Sequence, residues 1–101
     1  VLDVQVEPAG PSCGQRVRLA GVARADTLGP LREALKQALH LPQPLEIDLS
    51  GLHDIDAEAM GLLLLVQARQ GLSGQPLRVG GATPALRRRI VQHGCADLLE
   101  G

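Results

Sequence analysis

The titratable side chains that could do chemistry gather at one place in this 101-residue chain, His53-Asp54-Ile55-Asp56, followed at once by Ala57-Glu58-Ala59. A histidine beside two carboxylates is the residue set of general acid–base catalysis. The spacing here reads more simply as a loop running into a helix. Asp56 is then the N-cap and Glu58 an acid in the first turn, where its charge stabilises by about 0.3–1 kcal/mol. The functional alternative for Glu58 is a fixed negative charge presented to a partner. No other pattern builds a reaction centre. Gly80-Gly81 lacks the spacing and the lysine of a phosphate-binding loop, and no Ser or Cys has a recognisable base and orienter. His40, His53 and His93 show no metal-ligand spacing, and His40 and His93 fall near helix C-termini, where partial positive charge is favourable. Cys13 and Cys95 lie near opposite ends without a C-x-x-C pair and read as small, buried or half-buried residues. The run Arg87-Arg88-Arg89 reads as one face of a surface helix, with contact to phosphate or an acidic partner as the lesser reading. Ser50, after an apolar strand, is a turn hydroxyl and a minor phosphorylation site at most. The expectation is a chain with no catalytic residues, no metal and no cofactor.

A contact surface is the stronger signal. Glu58, Leu62, Leu65 and Arg69 are spaced i, i+4, i+7 and i+11, so they share one stripe of a helix. Met60, Leu63 and Leu64, with Gln67, fall on roughly the opposite side and are expected to meet a sheet. If Glu58 and Arg69 are wet, Leu62 and Leu65 are partly exposed between them, as a protein-docking face requires. The expected partner-binding residues are therefore Asp56, Ala57, Glu58, Ala59, Leu62, Leu65 and Arg69.

The elements that must position this helix follow from periodicity. Leu2, Val4 and Val6 alternate with polar residues as a strand, a breaker-rich turn covers residues 8–14, and Val17, Leu19 and Gly21 mark a second strand, paired as a hairpin. Asp26 or Thr27 caps a helix with Pro30 in its first turn and a stripe of Leu28, Leu31, Leu35 and Leu39. It stops before Leu41-Pro42-Gln43-Pro44. Leu45, Ile47 and Leu49 form a third strand. The helix carrying the stripe runs from Asp56 or Ala57 to about Gln70, and Leu77 and Val79 form a fourth strand. Thr83-Pro84 opens a third helix with Leu86, Ile90 and Val91 inward and Gly94 as its stop; Leu98 and Leu99 suggest a last short element. The order β-β-α-β-α-β-α predicts an α/β fold: one domain over residues 1–101, a four- or five-stranded, mostly parallel mixed sheet, and helices mainly on one face.

Composition removes whole classes of function. The net charge is -1 and there is no Phe, Trp or Tyr, so neither a basic field nor an aromatic platform is available for nucleic acid. The longest uncharged apolar stretch, residues 59–68, is far short of the ~20 residues a membrane span needs. No basic-then-apolar leader opens the chain, and a cytoplasmic location without membrane insertion is the expectation.

Three stretches resemble the STAS family of bacterial anti-sigma factor antagonists. Leu45-Glu46-Ile47-Asp48-Leu49-Ser50-Gly51-Leu52-His53-Asp54-Ile55-Asp56-Ala57-Glu58-Ala59-Met60-Gly61 is similar to the family's apolar strand, Asp-Leu-Ser, apolar residue and Asp, and small residues opening a Leu-rich helix. Leu77-Arg78-Val79 through Pro84 to Gly94 is similar to its last strand and Pro-started helix, and residues 19–26 to the strand and loop before its first helix. The resemblance implies a non-enzymatic module that binds a protein. In the family's best-known members that protein is an anti-sigma factor with kinase activity, and phosphorylation of a Ser or Thr at the start of the second helix breaks the complex. Asp56-Ala57-Glu58-Ala59 departs from the family's Asp-Ser-Ser-Gly, so Glu58 occupies the phosphoacceptor position and a Ser/Thr kinase has no hydroxyl to use there. Other relatives are small cytoplasmic subunits of lipid-transport ABC systems that dock on the ATPase, which is the alternative expectation.

Overall fold

The computed structural model describes residues 2–8 and 14–100, the side chain of Glu100 excepted. Cys13 and most of the turn expected over residues 8–14 lie outside them. Strand β1 (Leu2–Pro8) pairs antiparallel with β2 (Gln15–Ala23). A 3-10 turn, Ala25–Thr27, leads into α1 (Gly29–Ala38), which crosses to β3 (Leu45–Ile55). Helix α2 (Ala57–Leu72) crosses to β4 (Leu77–Gly80), and α3 (Pro84–Gln92) and a 3-10 segment, Ala96–Glu100, complete the chain. The sheet has four strands in the order β1-β2-β3-β4, with β2–β3 and β3–β4 parallel.

One face of the sheet is dry. Val17, Leu19, Leu45, Ile47 and Leu49 are buried, together with Leu31 and Leu35 of α1, Met60, Leu63 and Val66 of α2, and Leu86 and Ile90 of α3. Alternate residues point the other way and carry charge. There Arg16 pairs with Glu46 at 3.4 Å, and Arg18 with Glu7 at 3.4 Å and Asp48 at 3.5 Å. Such partly exposed pairs contribute about 0–1 kcal/mol each, so they keep the open face soluble more than they hold the fold.

Strand β3 runs past Leu49, where strict alternation ends, and the reason is visible in its register. The pairing with β2 shifts between Arg18 and Ala20 and again between Gly21 and Val22, each time with an additional residue on β3. The buried positions step from Leu49 to Leu52 to Ile55, three residues at a time, at those two bulges. Ser50 and His53 therefore sit within a bulged strand, not in a loop. Gly81, just after β4, has φ of +80°, and a Cβ there would lie 2.5 Å from Asp48 Oδ1. Only glycine combines that backbone with that approach.

Three further expectations are corrected. Thr27 does not cap α1: its hydroxyl accepts the Arg24 N–H at 3.0 Å and closes the preceding 3-10 turn, while Leu28 stands at the N-cap without a side-chain bond. Asp26 is likewise inside that turn. Leu64 is 37% exposed and does not meet the sheet, and Val91 is 53% exposed on α3.

Candidate functional site

Asp56 ends the strand and starts the helix. Its Oδ1 accepts the Ala59 N–H at 2.9 Å, as an N-cap does, and its Oδ2 accepts the Ala25 N–H at 2.9 Å from the loop after β2. The Asp56 N–H donates to the Ala23 carbonyl at 3.0 Å. One residue thus fastens the start of α2 to the end of β2 on both its backbone and its side chain. The Ala59 amide above all, with help from the Ala25 amide, holds the Asp56 carboxyl below the usual carboxylate range. It is an ionised structural cap, unsuited to holding a proton at neutral pH.

The three titratable groups that adjoin in sequence do not form one cluster: His53 and Asp54 line a shallow pocket against α3, while Asp56 turns to the loop after β2. Asp54 Oδ1 lies 2.9 Å from Arg89 Nε, which also donates to the Ile55 carbonyl at 3.1 Å, so Asp54 is committed to α3. Asp56 is committed to the β2 loop, and His53 is exposed on β3. The basic run divides in the same way: Arg89 ties α3 to β3, while Arg87 and Arg88 are exposed. His93 caps α3 with Nδ1 2.9 Å from the Arg89 carbonyl, and His40 is exposed just beyond α1. Ser50 is exposed, but its N–H donates to Asp48 Oδ1 at 2.9 Å. This bond is the main reason that the Asp48 carboxyl is held below its usual range. A phosphate on Ser50 would stand against an ionised carboxylate, an unfavourable place for it. Cys95 is buried, with its thiol 3.6 Å from the His93 carbonyl. Among the described residues no group of three or more His, Cys, Asp or Glu could hold a metal ion.

What the fold does bring to one surface is the stripe on α2. Ala57 and Glu58 are exposed in the first turn, Leu62 is half-buried, and Leu65 and Arg69 are exposed. Leu65 is 68% exposed, a large apolar side chain in water. Ala59, expected with this surface, is 1% exposed and belongs to the core. The stripe also continues beyond the expected end of the helix to Leu72, 88% exposed. Between α2 and α1 lies an open groove of about 450 Å³, whose walls include Leu62, Leu65, Arg69 and Leu72 from α2 and Arg32 and Lys36 from α1. No sequence motif singles out these α1 residues; the i, i+4 spacing of Arg32 and Lys36 is the signal that puts them on one face of the helix.

Gln70 is the other residue whose role the pattern concealed. It is 3% exposed, and its Nε2 donates to the Gln43 carbonyl at 2.8 Å and to the Pro76 carbonyl at 3.1 Å. It fastens the end of α2 to the segments entering β3 and β4, as Asp56 fastens its start.

No helix of the described chain is long and apolar enough to cross a membrane. No curated protein sequence matches the chain. Among solved structures, an anti-sigma factor antagonist from Mycobacterium paratuberculosis superposes with a TM-score of 0.81 at 22% identity, covering 98% of this chain and 83% of that one. The anti-sigma factor antagonist SpoIIAA in its unphosphorylated form gives a TM-score of 0.77 at 15% identity, covering 96% and 85%. The antisigma-factor antagonist STAS domain from Rhodobacter sphaeroides gives 0.63 at 19% identity, covering 84% and 95%. These likenesses establish the fold. Residues 9–100 match the STAS_2 family, described as "Mlab, STAS domain", and the chain belongs to that family of STAS domains.

Proposed function

We propose that this chain is a non-enzymatic, protein-binding regulatory module of the anti-sigma factor antagonist type, acting in the cytoplasm through the start and outer stripe of α2. The observation that carries the reading is the exposed sequence Ala57-Glu58 immediately after the doubly bonded cap Asp56. The helix start is rigidly placed, open to a partner, and carries a carboxylate where the family resemblance places a phosphorylatable hydroxyl. Glu58 supplies one negative charge with two acceptor oxygens, against about -1.5 to -2 and three for a phosphate, so it falls short of the charge that breaks the complex in the family's best-known members. The partner is an anti-sigma factor with a kinase-like ATPase domain, and its complex with this chain is not broken by phosphorylation at position 58.

The same absence of a hydroxyl at Ala57 and Glu58 favours a second reading. A subunit docked permanently on the ATPase of a lipid-transport ABC system needs no kinase switch. Capture from native lysate, with Leu65→Asp as the control, separates the two. A kinase-like anti-sigma factor lost in the control supports the first reading, and a transporter ATPase lost in the control supports the second. Specific recovery of neither overturns both. Glu58→Ser adds a further arm: it becomes phosphorylated only where a matching kinase is the partner.

A further inference from the structure

We propose that the groove between α1 and α2 receives an acidic amphipathic helix of a partner protein; this rests on the chain's being a protein-binding module and adds the chemistry of the segment it takes. On α2, Leu62, Leu65, Arg69 and Leu72 are spaced three, four and three residues apart, the seam that a third helix would meet in a coiled-coil packing. The facing wall of α1 presents Arg32 and Lys36. Arg32, Lys36 and Arg69 are exposed, no carboxylate lines the groove, and among the described residues none of the three is ion-paired.

An apolar channel bordered by cations alone complements leucines flanked by Asp or Glu. A second copy of this chain laid groove to groove would bring its own cations against these, which opposes a homodimer. A single acyl chain would remain wet along the open side, where Leu65 and Leu72 are 68% and 88% exposed. A bilayer surface does not enter a concave trough. A helix fills it and covers both leucines.

The test uses the whole chain and two fluorescent synthetic helices of about 18 residues, long enough to hold helical structure. Both have leucines at the seam positions; one carries flanking glutamates and the other flanking lysines. The wild-type chain is expected to bind the glutamate helix at least about tenfold more tightly than its twin, with the difference shrinking as salt is raised. Replacing Arg32, Lys36 and Arg69 by Glu together is expected to reverse the preference, and Leu72→Gln to weaken binding about tenfold. All four positions are exposed, so circular dichroism should show each variant folded. Equal binding of the two helices, or a preference that the triple reversal leaves unmoved, overturns the proposal. So does stronger binding of a fluorescent fatty acid or of phosphatidylglycerol vesicles through the same residues, or a homodimer that the reversal dissolves. Failure here is distinguishable from failure of the protein-binding reading. A native partner lost on Glu58→Lys but retained by the triple reversal leaves that reading standing and removes the groove; no native partner at all removes the reading itself.

Discussion

Replacing Asp56 by Ala removes both ends of a bridge, and the cost can be built from the two bonds. Loss of the N-cap bond to the Ala59 amide costs about 1 kcal/mol, within a range of roughly 0.5–2. Loss of the bond to the Ala25 amide, which no other described side chain meets, costs about 1 kcal/mol more. The sum of about 2 kcal/mol corresponds to a fall in Tm of about 10 °C for a domain of this size. The pH dependence is independent of that sum. The folded carboxyl is held below its ordinary value, so the unfolded chain takes up a proton first as pH falls. The contribution of the ionised carboxylate is fully present above about pH 4, near the unfolded value, and is lost as pH falls through the lower folded value. The gap between wild type and Asp56→Ala is therefore widest at pH 7 and narrows below about pH 4. Thermal unfolding followed by circular dichroism from pH 7 to about pH 3 measures both quantities. A fall of under about 3 °C at pH 7, or a gap that stays constant through the acid range, would refute the account of a charged double acceptor.

Gln70→Leu should cost about 1–2 kcal/mol in urea unfolding despite its greater apolar character, because two carbonyls lose their shared donor; a neutral result would show that water replaces it. Gly81→Ala should cost about 2 kcal/mol, from the positive φ and the Asp48 carboxylate that must move, and an unchanged Tm would contradict the tight approach. Leu65→Asp should leave stability within about 0.5 kcal/mol while weakening capture of the partner, and an unfolded variant would place Leu65 in the core.

The β-β-α-β-α-β-α order was legible because each element carries its own period and its own punctuation. Thr83-Pro84 opens α3 and Asp56 opens α2 as their types suggest, since a cap bonds within its own turn. What escaped the sequence lies between elements. The bulges that carry β3 to Ile55 show only as a change from two-residue to three-residue spacing, which in isolation reads as the end of a strand. The second bond of Asp56 reaches a residue 31 positions away, and the two bonds of Gln70 reach segments that nothing in its neighbourhood announces. The misplacement of Leu64 has the same origin. In the run Leu62-Leu63-Leu64-Leu65 the residue types are identical, so the run by itself cannot say which way the helix is turned.

That ambiguity gives the two polar ties a role beyond stability. A helix apolar on nearly all sides could settle against the sheet at several rotations with little difference in buried area. Asp56 joins its first turn to the β2 loop, and Gln70 joins its last turns to the entries of β3 and β4. With both ends pinned, Ala59, Met60, Leu63 and Val66 face inward, and Leu65 and Leu72 are left in water. A hydrogen bond has a direction where hydrophobic burial has almost none. The exposed stripe is thus set by two buried or half-buried polar side chains that do not themselves belong to it. Substitutions at Asp56 and Gln70 that keep the chain folded should still disturb partner binding, by turning the leucines away from the surface on which they are offered.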